Sequence, residues 1–201
     1  HSLSEREKGT YFEDLIQLYL QNEPFYSVYY KEVLTFKDWI EKYYPNLPSN
    51  DTGIDLVAVT HDGENHAIQC KNYSQDHRIS KADIDSFFTA SGKSYFQLRI
   101  IVATTDHWTE NAYASLSHQN PPVTVIDRSA LENSAIDWDN FAFQKELPLK
   151  PKKSLREHQK NALSAVRNGL KNADRGKLIM ACGTGKTFTS LKIAENIAGN
   201  G

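Results

Sequence analysis

Asp55 follows Gly53 by two residues and opens an apolar run, Ile54-Asp55-Leu56-Val57-Ala58-Val59-Thr60. Gln69 and Lys71 close a second one, His66-Ala67-Ile68-Gln69-Cys70-Lys71. A carboxylate, an amide carbonyl and an ammonium suit phosphodiester hydrolysis. That reaction needs an activated water and cover for the charge developing on phosphorus, and a divalent metal supplies both. Mg²⁺ prefers hard oxygen ligands and keeps several waters, so one or two carboxylates plus a carbonyl suffice. Asp55 and Gln69 are therefore candidate ligands for Mg²⁺ or Mn²⁺, and Lys71 would orient the water or pair with the phosphate. Taken singly, a turn acid at Asp55 and a solvated edge lysine at Lys71 are the plainer readings. Position argues the other way, because polar groups embedded in an apolar hairpin need partners or a ligand.

A second chemical pattern lies near the end of the chain, Met180-Ala181-Cys182-Gly183-Thr184-Gly185-Lys186-Thr187. It follows an apolar strand pattern at Leu178 to Ala181 and precedes a helix with Leu191, Ile193 and Ala194 inside. Strand, glycine loop and helix are the context of a Walker A loop. Gly183 and Gly185 would let backbone N–H groups face phosphates, and Thr184 lies between them. Lys186 would reach the β- and γ-phosphates of ATP and Thr187 its Mg²⁺. Met180 stands where the general signature has its first glycine.

The elements that must position these groups read as follows. Ser4 with Glu7 forms a capping-box pattern, and Tyr11, Phe12, Leu15, Ile16 and Tyr19 continue at helical spacing to about Gln21. Phe25 to Phe36 reads as extended, Lys37 to Tyr44 as a short helix stopped by Pro45, and Pro48 to Gly53 as a loop. The hairpin turns at Asp62-Gly63. Ser80 to Gly92 predicts a helix, Arg99 to Thr104 a strand, Thr109 to Ser117 a helix and Val123 to Ile126 a strand. The order predicts an α/β sandwich built on a mixed sheet. A strict two-residue turn at Asp62-Gly63 would set Asp55 against Cys70, facing away from Gln69 and Lys71. We therefore expect a three-residue loop with Gly63 left-handed, or a bulge near Asp55.

With 39% hydrophobic and 24% charged residues, the chain can fill a core, which argues against disorder. The net charge of −2 removes the simplest argument for nucleic acid but does not exclude it, because charge is local. Between Lys145 and Lys160, six basic residues face two acidic ones. Cys70 and Cys182 show neither CxxC spacing nor a disulfide framework, and no apolar run spans a membrane, so a cytoplasmic location is expected. His61, His66 and His77 lack metal-ligand spacing and read as surface histidines, and Asp83 and Asp85 as an exposed helix face. Cys70 reads as a small core residue rather than a nucleophile. Arg78 and Lys81 could contact phosphates or be solvated loop charges.

Gly53-Ile54-Asp55 followed by Gln69-Cys70-Lys71 resembles the active site of the PD-(D/E)xK nucleases, in the Mrr-like branch where Gln replaces the second acid. Gly9-Thr10-Tyr11-Phe12-Glu13 is similar to the first helix of that branch, which implies that Glu13 is an accessory catalytic acid. Val102-Ala103-Thr104-Thr105 and Thr109-Glu110-Asn111-Ala112 resemble the strand and helix that complete its core. The glycine loop resembles motif I of superfamily 2 helicases, especially the motors of type I and related restriction enzymes. Leu155-Arg156-Glu157-His158-Gln159-Lys160 resembles their upstream segment, which implies an adenine contact for Gln159. The resemblance implies an Mrr-like endonuclease domain over residues 1–147, then a linker and an incomplete RecA-like motor segment over 148–201. It implies a restriction-endonuclease-like fold, a Mg²⁺-dependent endodeoxyribonuclease of a type ISP-like enzyme, double-stranded DNA as partner and ATP in the full-length motor. Since the sequence given ends at Gly201 without further motor motifs, a motor stub is expected. The alternative is a DNA-binding domain on a helicase, its catalysis weakened by the ligand charge missing at Gln69.

Overall fold

The computed structural model describes residues 4–46, 53–141, 147–181 and 183–199. Most of the loop expected from Pro48 to Gly53, Lys145 and Glu146 of the basic stretch, and Cys182 of the glycine loop lie outside the described residues. The chain divides into two compact units, residues 1–150 and 151–201.

In the first unit the order is α1 (Glu5–Asn22), α2 (Pro24–Tyr29), β1 (Tyr30–Thr35), α3 (Phe36–Tyr43), β2 (Leu56–Thr60) and β3 (Asn65–Lys71). There follow α4 (Asp85–Ser91), β4 (Leu98–Ala103), α5 (Glu110–Ser115), β5 (Val123–Ile126) and α6 (Arg128–Asn133). The sheet has five strands in sequence order. β1, β2 and β3 pair antiparallel, whereas β4 joins β3, and β5 joins β4, in parallel. Helices cover both faces, giving the expected mixed α/β sandwich.

Strand alternation divides the core in two. Leu56, Ala58, Ile68, Ile100 and Val102 turn to the face where α1 packs Phe12, Ile16 and Leu20. Val57, Val59, Ala67, Ile101 and Ala103 turn to the other, against Trp39 and Ile40 of α3, Phe87 of α4 and Ala112 of α5. α1 starts at the expected capping box, with Ser4 Oγ accepting the Glu7 N–H at 3.3 Å and Glu7 accepting the Ser4 N–H at 2.7 Å.

Three expectations are corrected here. The stretch from Phe25 is helical through Tyr29 before it extends, because Pro24 opens α2 and the Glu23 carboxylate caps it, accepting from Phe25 and Tyr26 N–H. His66 is buried in the hairpin and not on the surface; its Nδ1 lies 3.0 Å from Tyr30 Oη. Asp83 accepts from Tyr73 Oη at 3.0 Å and from the Ser80 N–H at 2.7 Å instead of lying open on a helix face.

The second unit contains α7 (Glu157–Gly169), the glycine loop and α8 (Lys186–Ala198). The strand expected at Leu178 to Ala181 is not formed. A strand exists through its hydrogen-bonded neighbours, and this unit offers none among the described residues; Ile179 is 79% exposed. Among the described residues, no helix is long and apolar enough to cross a membrane.

Candidate active site and phosphate loop

The hairpin between β2 and β3 turns through three residues, His61, Asp62 and Gly63. Thr60 N–H donates to Glu64 C=O at 2.9 Å, and Gly63 takes φ +87°. This is the expected loop, and only a residue without Cβ accepts that φ at no steric cost. The extra residue sets the register at Leu56 opposite Ile68 and Val57 opposite Ala67.

β2 itself stops at Leu56, and Asp55 leaves the regular ladder. Its N–H donates to Ile68 C=O at 3.0 Å and its C=O accepts from Phe36 N–H at 3.0 Å. Its carboxylate Oδ2 accepts the Cys70 N–H at 2.6 Å. One carboxylate oxygen is thus spent on fixing the group between the strands.

Gln69 is 3% exposed, so both ends of its amide need an account. Nε2 donates to Gly53 C=O at 3.1 Å, while Oε1 is buried with no hydrogen-bond partner among the described residues. The Gly53 carbonyl is presented by a backbone at φ +81°, where a Cβ would lie 3.0 Å from Ser86 Oγ. An orphaned buried carbonyl oxygen beside a carboxylate suits a hard cation, and Mg²⁺ asks for little more than these two oxygens and water. Among the described residues, no three His, Cys, Asp or Glu side chains gather as a metal cage, so the fitting donor set is this mixed pair.

Gly53, Asp55, Gln69, Cys70 and Lys71 line one open cleft of 740 Å³. The Lys71 backbone is held by Thr104, whose N–H donates to Lys71 C=O at 3.1 Å. The Thr104 hydroxyl also accepts the Tyr73 N–H at 2.8 Å and donates to Tyr73 C=O at 2.7 Å. Glu13 does not line the cleft; it belongs to α1, on the other face of the sheet. Its charge still reaches the strand: burial first, then the charges of Asp55 and Glu13, push the Cys70 thiol well up, with Lys71 opposing. Cys70 is therefore held as a thiol, in keeping with its reading as a packing residue.

The cleft has a second wall that sequence reading missed, formed by Ser86, Thr89 and Ala90 of α4 and by Lys93 beyond it. Ser86 and Thr89 are three apart on an exposed helix face, a pattern indistinguishable in sequence from ordinary solvated surface. Arg78 joins Trp108 and Tyr113 in a separate pocket, and Lys81 is exposed.

In the second unit, Gly183 and Gly185 take φ +78° and +79°, and Lys186 and Thr187 form the first turn of α8. Thr184 Oγ1 donates to Ala181 C=O at 2.7 Å, closing the loop. Gln159 of α7 is 4% exposed and ties the loop down. Its Nε2 donates to Thr184 C=O at 2.9 Å and its Oε1 accepts the Arg156 N–H at 2.9 Å.

The restriction endonuclease family matches residues 21–147, and the family of the type III restriction enzyme res subunit matches residues 152–201. One solved structure is the ATP-dependent Type ISP restriction-modification enzyme LlaBIII bound to DNA. It is 39% identical with a TM-score of 0.77, over 98% of this chain and 13% of its own. The present chain thus spans only 13% of that protein. MspJI restriction endonuclease in complex with a 27-mer oligonucleotide aligns over 41% of this chain and 20% of its own at 18% identity and TM-score 0.30, too remote to carry an argument. No curated protein matches the chain.

Proposed function

We propose, from the premise that this chain belongs to the restriction endonuclease family, that residues 1–147 hydrolyse DNA phosphodiester bonds with the help of Mg²⁺ or Mn²⁺. The observation that carries this reading is the buried, partnerless Oε1 of Gln69 beside Asp55, in the cleft that Lys71 also lines. A divalent ion held by Asp55 and Gln69 would supply the charge that activates water and offsets the developing phosphorane. Asp55 contributes its carboxylate in one fixed rotamer, held by the Cys70 N–H. Gln69 contributes a carbonyl whose direction is fixed at the other end of the amide by Gly53 C=O. Lys71 orients the attacking water or pairs with a phosphate oxygen, on a backbone that Thr104 holds still. Glu13 acts from α1 through its charge. Double-stranded DNA is the proposed substrate.

We assign residues 148–201 to a linker and the beginning of an ATP-driven motor, in keeping with the family matched there. The amides around Gly183, Thr184 and Gly185 would cradle phosphates at the start of α8, with Lys186 and Thr187 serving the nucleotide and its Mg²⁺. Among the described residues, the Gln159 amide makes bonds to Thr184 and Arg156, which leaves a second N–H and a second lone pair in its bonding capacity. That remainder is enough for a two-point adenine contact. In a longer protein this segment would couple translocation to cleavage.

Nicking of supercoiled plasmid DNA in Mg²⁺ or Mn²⁺, lost in EDTA and in Asp55→Asn, tests the nuclease. A parent chain that binds DNA but never nicks it would support the alternative of a weakened DNA-binding domain.

A further inference from the structure

The 740 Å³ cleft exceeds what the scissile phosphate and a metal ion would fill; cavities of roughly 300–1,000 Å³ enclose ligands much larger than one phosphate. Its lining contains two cations, Lys71 and Lys93, and only Lys71 takes part in the chemistry proposed above. Lys93 is exposed and forms no ion pair among the described residues. Ser86 brings a hydroxyl to the same wall, while the Thr89 hydroxyl donates its hydrogen to Asp85 C=O at 2.9 Å.

The mount of Lys93 is rigid. α4 is pinned to the sheet by buried Phe87 and by Ser91 Oγ, which accepts from Arg99 Nε at 2.9 Å. Arg99 is 3% exposed and also donates to Phe88 C=O at 3.2 Å. At Gly92 a Cβ would lie 3.1 Å from the Arg99 guanidinium, so the chain leaves α4 pressed against that side chain. Lys93 C=O then accepts from Phe96 N–H at 3.2 Å, and Phe96 is buried against Trp39. An unpaired ammonium on so fixed a backbone, facing a cleft that holds a carboxylate, suits a polyanion that must enter against that carboxylate's charge.

We infer that Lys93, assisted by the hydroxyl of Ser86, holds a DNA backbone phosphate next to the one that Lys71 faces. It is a phosphate-binding residue that sets the path of the cleaved strand through the cleft. The inference rests on the nuclease reading for the identity of the strand, but the phosphate contact itself can be read by binding alone.

The test uses the whole 201-residue chain. Binding of a short fluorescein-labelled duplex is followed by anisotropy in EDTA across a salt series, for the parent, Lys93→Gln and Lys93→Arg. Losing one phosphate contact should make the slope of log K against log salt shallower by about 0.9. Affinity should fall about three- to tenfold in Lys93→Gln and return in Lys93→Arg. In plasmid nicking, Lys93→Gln should raise KM more than it lowers kcat. An unchanged slope and affinity in Lys93→Gln overturns the inference while leaving the nuclease reading intact, as does a parent that nicks DNA with KM unaltered by Lys93→Gln. A parent that binds with the expected slope change yet never nicks sinks the nuclease reading and keeps the phosphate site. A parent that binds no DNA overturns both.

Discussion

Cys70 donates its backbone N–H to Asp55 Oδ2 at 2.6 Å, across the point where β2 stops and β3 continues. The carboxylate stands in for the backbone carbonyl that a longer β2 would have offered, so the ladder stays satisfied while the side chain is locked. A substitution can therefore remove the charge without removing the acceptor.

Asp55→Asn keeps an oxygen for the Cys70 N–H and should leave the fold intact. Cleavage should fall at least about a hundredfold, the scale of losing one charge-stabilising group. Lys71→Ala should match it. Mn²⁺-supported plasmid nicking beside a circular dichroism melt checks both. If Asp55→Asn nicks as fast as the parent, another site does the chemistry.

Gln69→Glu should be tolerated better than Gln69→Ala, since it keeps an oxygen where the buried Oε1 now lies. The carboxylate would exchange the donor bond to Gly53 C=O for a stronger hold on the cation, so metal is needed at lower concentration. Titrating Mn²⁺ against nicking rate reads this. An equal rate and midpoint in Gln69→Ala would show that the amide is only structural.

Gly53→Ala forces an L side chain to φ +81° and brings a Cβ to 3.0 Å from Ser86 Oγ. The backbone strain is worth about 1–2 kcal/mol, a loss of roughly 2–8 °C in Tm for a domain of this size. The carbonyl that aims Gln69 shifts with it, so nicking should drop as well. A variant that melts with the parent would mean that the turn relaxes freely.

His66 gives the first unit a pH dependence. Burial, the larger effect, holds its pKa below the ordinary value of 6.5, and the nearby Glu64 carboxylate partly opposes that. A neutral native imidazole favours folding fully above about pH 6.5, and that stability is lost as pH falls below it. Tm should therefore fall between pH 7.5 and about 5.5, and more gently in His66→Gln, which keeps a partner for Tyr30 but does not titrate. Parallel curves for both chains would assign the acid sensitivity elsewhere.

In the glycine loop, Gly185→Ala would place a Cβ 2.6 Å from Gln159 Nε2, at a backbone φ of +79°. Gln159 is buried and bonded on both sides, so it cannot swing away cheaply. Gly185→Ala and Lys186→Ala should each weaken binding of a fluorescent ATP analogue at least about tenfold. Binding that survives both would remove the phosphate-cradle reading.

Local chemistry made much of this molecule legible in its sequence. The Ser4–Glu7 capping box, the alternation along Leu56 to Val59 and the short strand at Val123 to Ile126 depend on neighbours a few residues away. The three-residue hairpin loop was also legible, because a strict two-residue turn would set Asp55 facing away from Gln69 and Lys71. Tertiary structure alone decided the rest. Whether Leu178 to Ala181 forms a strand depends on partners that no local pattern supplies. His66 looked like a surface residue because its burial comes from Tyr30, far away in sequence. Nothing local in the sequence sets Ser86, Thr89 and Lys93 apart from solvated surface; the packing of α4 and of the turn after it places them along the cleft. Polarity in sequence records that a side chain meets water or a ligand, and only the packing of distant elements determines which.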